Sequence, residues 1–325
     1  MDASHSFAPL LTVLVIAFAV PIFLSRIKFL SIPIVVGEIV AGMIVGRSGF
    51  SFVPPDDLLV GIFANFGIVF LMFLSGMEID FNSLRSSAPT PGRSARSVLW
   101  LALLHFALTL GLASVAAYFL VRFGLATNRW IMALILSTTS LGVVVPVLKE
   151  TDLIGQRLGQ CILVSAVLAD FATMLLITLA VAIVSRGLTA EILLIALLFV
   201  AFFLIYRFGT IFNKAGALRR TIEELSHATA QIKVRAAFAI MLAFVALSQE
   251  LGSEIILGAF LAGAIIGLLR TADDAELGHQ LEAIGFGFFI PIFFIQVGIG
   301  FNLPALLASA GALLLVRFYS SAQFW

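Results

Sequence analysis

The chain has 325 residues, 61% of them hydrophobic and only 11% charged. Soluble domains carry roughly 25% charged residues, so a water-soluble enzyme or binding module is excluded and an all-α polytopic membrane protein is expected. The net charge of +1 gives no reason to expect a nucleic-acid partner, and the single cysteine, Cys161, excludes a disulfide framework or a zinc site.

Eleven apolar spans are predicted, at about 7–25, 31–46, 58–77, 97–121, 130–148, 158–184, 188–206, 233–249, 255–269, 283–300 and 304–321, many near the roughly 20 residues that cross a bilayer. The first lacks a basic leader and a small-residue cleavage site, so it reads as a retained helix and not a signal peptide. The second carries Glu38 and the fourth His105. The fifth reads Leu136-Ser-Thr-Thr-Ser-Leu-Gly-Val-Val-Val-Pro, so hydroxyls, Gly142 and Pro146 interrupt a span at its middle. The sixth holds Asp170 between Arg157 and Arg186. At about 1.5 Å rise per residue, that sits near the midplane. The connection 207–235 mixes charges and apolar residues at helical spacing. It reads as a helix on the membrane surface, with a plain solvated loop as the alternative. The eleventh span contains Arg317.

Lysines and arginines set the orientation. Fourteen lie on one side: Arg26, Lys28, Arg85, Arg93, Arg96, Lys149, Arg157, Arg207, Lys214, Arg219, Arg220, Lys233, Arg235 and Arg270. Four, Arg47, Arg122, Arg129 and Arg186, lie on the other. The N-terminus is therefore expected outside.

An internal repeat runs through the spans. Gly37, Ala41, Gly42 and Gly46 of the second align with Gly258, Ala262, Gly263 and Gly267 of the ninth at an offset of 221. Gly76 and Asp80 at the end of the third align with Gly298 and Asn302 at an offset of 222. Small-residue spacing alone is a generic packing surface, but two consecutive pairs at nearly one offset point to a duplication. The copies lie seven spans apart, an odd number, so they run in opposite directions. That is an inverted-topology repeat, as in many secondary transporters. The whole chain reads as one membrane domain, with a first repeat at about 7–184, linker helices at 185–235 and a partial second repeat at 236–325.

Ionisable groups inside a bilayer are expensive, from about 2.5 kcal/mol upward, and are functional candidates for that reason. Asp170 can hold a proton or a small cation but not both, and competition for one site suffices to couple two fluxes. The alternative is a carboxylate satisfied by a structural partner. An unwound fifth span would add carbonyls and half-helix ends beside it, whereas membrane Ser/Thr often only bond back to the preceding turn. Glu38 reads as a structural carboxylate paired to Arg317 or a hydroxyl, or as a second proton carrier. Arg317 either holds a carboxylate or snorkels to the interface. His105 reads as a packing residue.

Val36-Gly-Glu-Ile-Val-Ala-Gly, Phe73-Leu-Ser-Gly-Met-Glu-Ile-Asp, Ser137-Thr-Thr-Ser-Leu-Gly-Val-Val-Val-Pro, Leu257-Gly-Ala-Phe-Leu-Ala-Gly and Pro291-Ile-Phe-Phe-Ile-Gln-Val-Gly, in this order, resemble the monovalent cation:proton antiporter 2 family. It includes Kef-type potassium/proton and NapA-type sodium/proton antiporters. The resemblance implies an NhaA-like fold of thirteen helices with a discontinuous helix 5, a homodimer in the inner or plasma membrane, and no cofactor. By position it makes Asp170 the cation- and proton-binding aspartate, with Thr138, Thr139 and Ser140 in the unwound segment and Arg317 the basic residue of helix 11.

Two departures stand out. Many members carry a polar or acidic residue before the aspartate, where this chain has Ala169, which suggests electroneutral, one-for-one exchange. The sequence also stops at Trp325, after eleven of the thirteen expected helices, so a fragment, a frameshifted product or a partner supplying the rest is expected. The expected function is sodium- or potassium-ion/proton antiport. The alternatives are an ion-coupled organic-anion symporter and a transport-inactive fragment or sensor. No nucleophile–base pattern suggests an enzyme.

Overall fold

The computed structural model describes residues 6–26, 33–78, 95–138, 141–153, 156–186, 200, 203–204, 207, 231–251, 255–269 and 275–308. The connection 208–230, nearly all of the seventh span, Asp80 and Arg317 lie outside them.

Within the described residues the helices are α1 Ala8–Arg26, α2 Ile34–Val45, α3 Leu58–Met77, α4 Ala95–Arg122, α5 Arg129–Ser137, α6 Leu141–Glu150 and α7 Arg157–Arg186. They continue with α8 Ile232–Glu250, α9 Ile255–Leu269, α10 Ala275–Ile284, a π-helical turn Gly285–Phe289, α11 Ile290–Gly300 and α12 Leu303–Ala308. Short polar side chains start several of them by accepting from the free first-turn N–H groups. Asp57 Oδ1 accepts from Val60 N at 2.9 Å, Asn128 Oδ1 from Trp130 N at 2.9 Å, and Asn302 Oδ1 from Ala305 N at 3.0 Å. Among the described residues, five helical stretches are long and apolar enough to cross a membrane: Ala8–Arg26, Leu58–Met77, Trp100–Arg122, Ile232–Glu250 and Glu276–Gly300. Among the described residues their outer faces carry exposed large apolar side chains, such as Leu11, Val15, Phe18 and Ile22 on α1.

Two predicted boundaries change. The tenth span was expected from 283, but the helix starts at Ala275 and runs through the π turn to Gly300. Charged residues such as Glu276 and Glu282 end an apolar run without ending a helix, because both are good helix formers. In the fifth span the helix stops at Ser137 and restarts at Leu141, and Pro146 falls inside α6 instead of at the break. Pro146 is the sixth residue of α6, past the unpaired first-turn N–H groups, so it costs the helix a hydrogen bond without ending it.

The chain forms two compact units. The first comprises Met1–Ile68, Ala113–Ala133 and Phe286–Trp325. In it α2 lies against α11, and Val13, Val60, Ile292, Ile295 and Ile299 form a buried cluster. Ser48 ties the end of α2 to the start of α12, donating to the Phe301 carbonyl while accepting from Leu303 N at 2.9 Å. The second unit comprises Val69–Leu112 and Leu134–Gly285. Its centre is α9, apolar on all sides and buried from Leu257 to Ile266, packed by α8 and the end of α3.

Glycines let backbones touch in both units, and the contacts match in pairs. In the first unit, a methyl built on Gly298 would strike the Ile39 carbonyl and lie 2.9 Å from Met43 N. In the second, a methyl on Gly76 would strike the Phe260 carbonyl and lie 2.8 Å from Ala264 N. Gly42 abuts the Ile295 carbonyl, and Gly263 abuts the Phe73 carbonyl. Gly46 meets Ile299, and Gly267 meets Met77. Each partner pair is related by the offsets of 221 and 222 that align the sequences.

Candidate ion-binding site

The site grows from the break in the fifth span. α5 ends at Ser137, whose hydroxyl turns back onto the Leu134 carbonyl at 3.0 Å, and the chain leaves the helix at Thr138. The last carbonyls of α5 lack intrahelical donors and carry partial negative charge, while α6 begins three residues later with free N–H groups. Across from the break, α7 presents Asp170, half-buried and fourteenth of its thirty residues.

Thr138 Oγ1 donates to Asp170 Oδ1 at 3.4 Å and lies 3.2 Å from Thr173 Oγ1. Thr173, only 1% exposed, donates to the Ala169 carbonyl at 2.8 Å, with the Asp170 carbonyl at 3.0 Å. One carboxylate and two hydroxyls thus meet, the Thr173 hydroxyl being held by carbonyls of its own helix. Hard cations want such an oxygen set, and the carboxylate can take a proton instead.

Of the residues singled out in the sequence, Thr138 and Asp170 are brought together, and Thr139 and Ser140 lie outside the described residues, as does Arg317. Glu38 is buried on α2 in the first unit, whereas Asp170 belongs to the second. His105 is exposed on α4 instead of packed. Thr173 was missed, and its signal was available. Residues three apart on a helix share a face, so the hydroxyl after Asp170 had to lie beside it.

The model of the transmembrane sodium/hydrogen exchanger family matches residues 14–325. This chain belongs to the sodium/hydrogen exchanger family. As a member it is a multi-pass membrane protein of a family of transporters and not of enzymes. The exchanger-family chain is 40% identical to YjbQ of Bacillus subtilis (strain 168) over 318 residues, 97% of this chain and 50% of YjbQ. It is 28% identical to the Na(+)/H(+) antiporter of Enterococcus hirae, covering 90% of this chain and 73% of that protein. It is 25% identical to K(+)/H(+) antiporter 1 of Saccharomyces cerevisiae (strain ATCC 204508 / S288c), covering 84% of this chain and 33% of that protein. The chain therefore spans about half the length of YjbQ.

Proposed function

We propose that this exchanger exchanges sodium or potassium ions for protons, with Asp170 as the shared site. The observation that carries the reading is the meeting of Thr138 with Asp170 at the break between α5 and α6. A cation bound there loses water and gains carboxylate, hydroxyl and carbonyl oxygens, and a proton on the carboxylate expels it. An empty, charged Asp170 is costly to carry through the bilayer, so exchange is favoured over leak. Ala169 leaves one carboxylate at this point, which supports a one-for-one, electroneutral cycle. Thr139 and Ser140 complete the oxygen set in this reading, and Arg317 balances the charge.

The repeat reading belongs to the same proposal. Two inverted copies, 7–184 and 236–325 joined by the linker 185–235, account for glycine contacts that recur in both units at offsets of 221 and 222. They imply an NhaA-like fold of thirteen helices. With the N-terminus outside and a homodimer in the inner or plasma membrane, alternating access would expose Asp170 to each side in turn. The names of the relatives in Enterococcus hirae and Saccharomyces cerevisiae, one a sodium and one a potassium antiporter, support keeping both cations.

The test is proton flux in proteoliposomes, read with a pH-sensitive dye on adding sodium or potassium chloride. Wild-type protein is expected to show cation-driven proton movement that a clamped membrane potential leaves unchanged. Asp170→Asn is expected to abolish it, and full activity in that variant overturns the reading.

A further inference from the structure

The 25 residues Glu276–Gly300 run as one helical stretch, but its two ends are packed by different neighbours. α10 lies on α8, whereas α11 lies on α2 and α1. Between them is the π-helical turn Gly285–Phe289. The chain passes from the second compact unit to the first inside this turn, between Gly285 and Phe286. A π turn within a helix interrupts the α hydrogen-bond ladder, and such turns are frequent at functional sites.

We propose that residues 285–291 are a hinge, about which α10 swings against a fixed α11 in each exchange cycle. That the swing belongs to exchange rests on the Asp170 reading; the swing itself does not.

Glycine, a π turn and proline, each a known cause of helix bending, fall together in this short stretch. Gly285 and Gly287 have no Cβ to restrict the backbone, and a methyl built on the exposed Gly287 would meet nothing. Pro291 has no N–H, so the ladder loses a bond one turn back, toward Gly287. The α11 side is clamped to α3. Phe288 and Phe289 pack on Phe63 at centroid distances of 5.6 and 6.1 Å, and Phe289 packs on Phe66 at 5.7 Å. Gly67 closes on the Phe289 carbonyl, and a methyl there would lie 2.6 Å from Phe293 Cβ. α10 has a different character. It exposes Glu276 and His279, and Gln280 Nε2 donates to Glu276 Oε1 at 3.1 Å within the helix itself. The matched helix does without the bending residues. At the offset of 222, Gly285, Gly287 and Pro291 correspond to Phe63, Asn65 and Val69 of α3, which runs unbroken over Leu58–Met77. Bending therefore concentrates at 285–291, where the ladder is weakest and the packing neighbours change.

The test reads the bend and the transport separately. In a background without Cys161, spin labels are placed at His279→Cys on α10 and Val297→Cys on α11, both exposed positions. They lie about 27 Å apart along the helix. Pulsed electron–electron distance measurements in lipid nanodiscs compare sodium or potassium at high pH with cation-free buffer at low pH. The wild-type hinge should give two distance populations whose weights shift between the conditions. Gly287→Ala combined with Pro291→Ala restores a Cβ and an N–H. This double variant should collapse the distances to one population. It should also lower Vmax for cation-driven proton flux in proteoliposomes by about fivefold, the bias that one added backbone hydrogen bond gives. Gly61→Ala on α3, where a methyl likewise meets nothing, should leave both readouts at wild type. A single, unshifted distance with the wild-type hinge overturns the proposal, as does a collapsed distance with unchanged Vmax in the double variant. Shifting distances without any cation-driven flux support the bend and overturn the exchange reading instead. If the double variant does not fold, Gly287→Ala alone should narrow the distances, and unchanged populations there overturn the proposal.

Discussion

Asp170 holds its place through two threonines of different standing. Thr138 comes from the broken span, and its 3.4 Å contact is long for a hydrogen bond, leaving room to open around an ion. Thr173 is buried and anchored to the Ala169 carbonyl, so its hydroxyl oxygen is already oriented. Replacing Thr173 with valine keeps the shape and removes that oxygen. A hydrogen bond to a charged group contributes about 1.5–3 kcal/mol, so Thr173→Val is expected to raise KM for the cation by about tenfold or more, with Thr173→Ser near wild type. An unchanged KM would remove Thr173 from the site. At this scale the sequence was informative because charge inside an apolar span is rare for an energetic reason. Asp170 and the hydroxyl run could be read directly. Thr173 was passed over because a lone threonine in a membrane helix ordinarily bonds to its own backbone. It does so here as well, and only the approach of Thr138 gives it a second role.

Helices are held together by backbone approach more than by side-chain interlocking. With lipid as apolar as the side chains, small residues that let backbones close up carry association. Gly263 lies on the Phe73 carbonyl, and Gly111 on α4 has nothing near the position of a β-carbon. Overpacking typically costs about 1–3 kcal/mol, so Gly263→Ala is expected to lower Tm in detergent. Gly111→Ala should be neutral or stabilising by up to about 1 kcal/mol, because alanine is the better helix former. Equal Tm values for the two would contradict this account of the seam. The span limits were largely legible, since α3 and α9 coincide with the apolar runs at 58–77 and 255–269. They failed at α10, where an amphipathic helix continues past its apolar part, and at Pro146, which sits inside α6 and does not end it.

At the scale of the whole protein, orientation remains an expectation from the basic residues, and labelling can test it. In a background without Cys161, Asp56→Cys should react with a membrane-impermeant maleimide from outside intact cells. Gln156→Cys should react only after permeabilisation; both positions are exposed between helices. The reverse pattern would invert the topology and the direction of the proposed cycle. Composition and hydropathy by themselves determined that this is a multi-pass helical membrane protein, because a chain with so few charges cannot clothe itself for water. The spacing of its glycines also paired positions whose backbone contacts match in the structure, Gly42 with Gly263 and Gly76 with Gly298. Which helices meet was decided by tertiary structure alone. The pairing of α2 with α11 and of α9 with the end of α3, and the meeting of Thr138 with Asp170 across 32 residues of chain, depend on backbones closing in space. Linear spacing carries no record of that, because a glycine face fits any other face as small as itself.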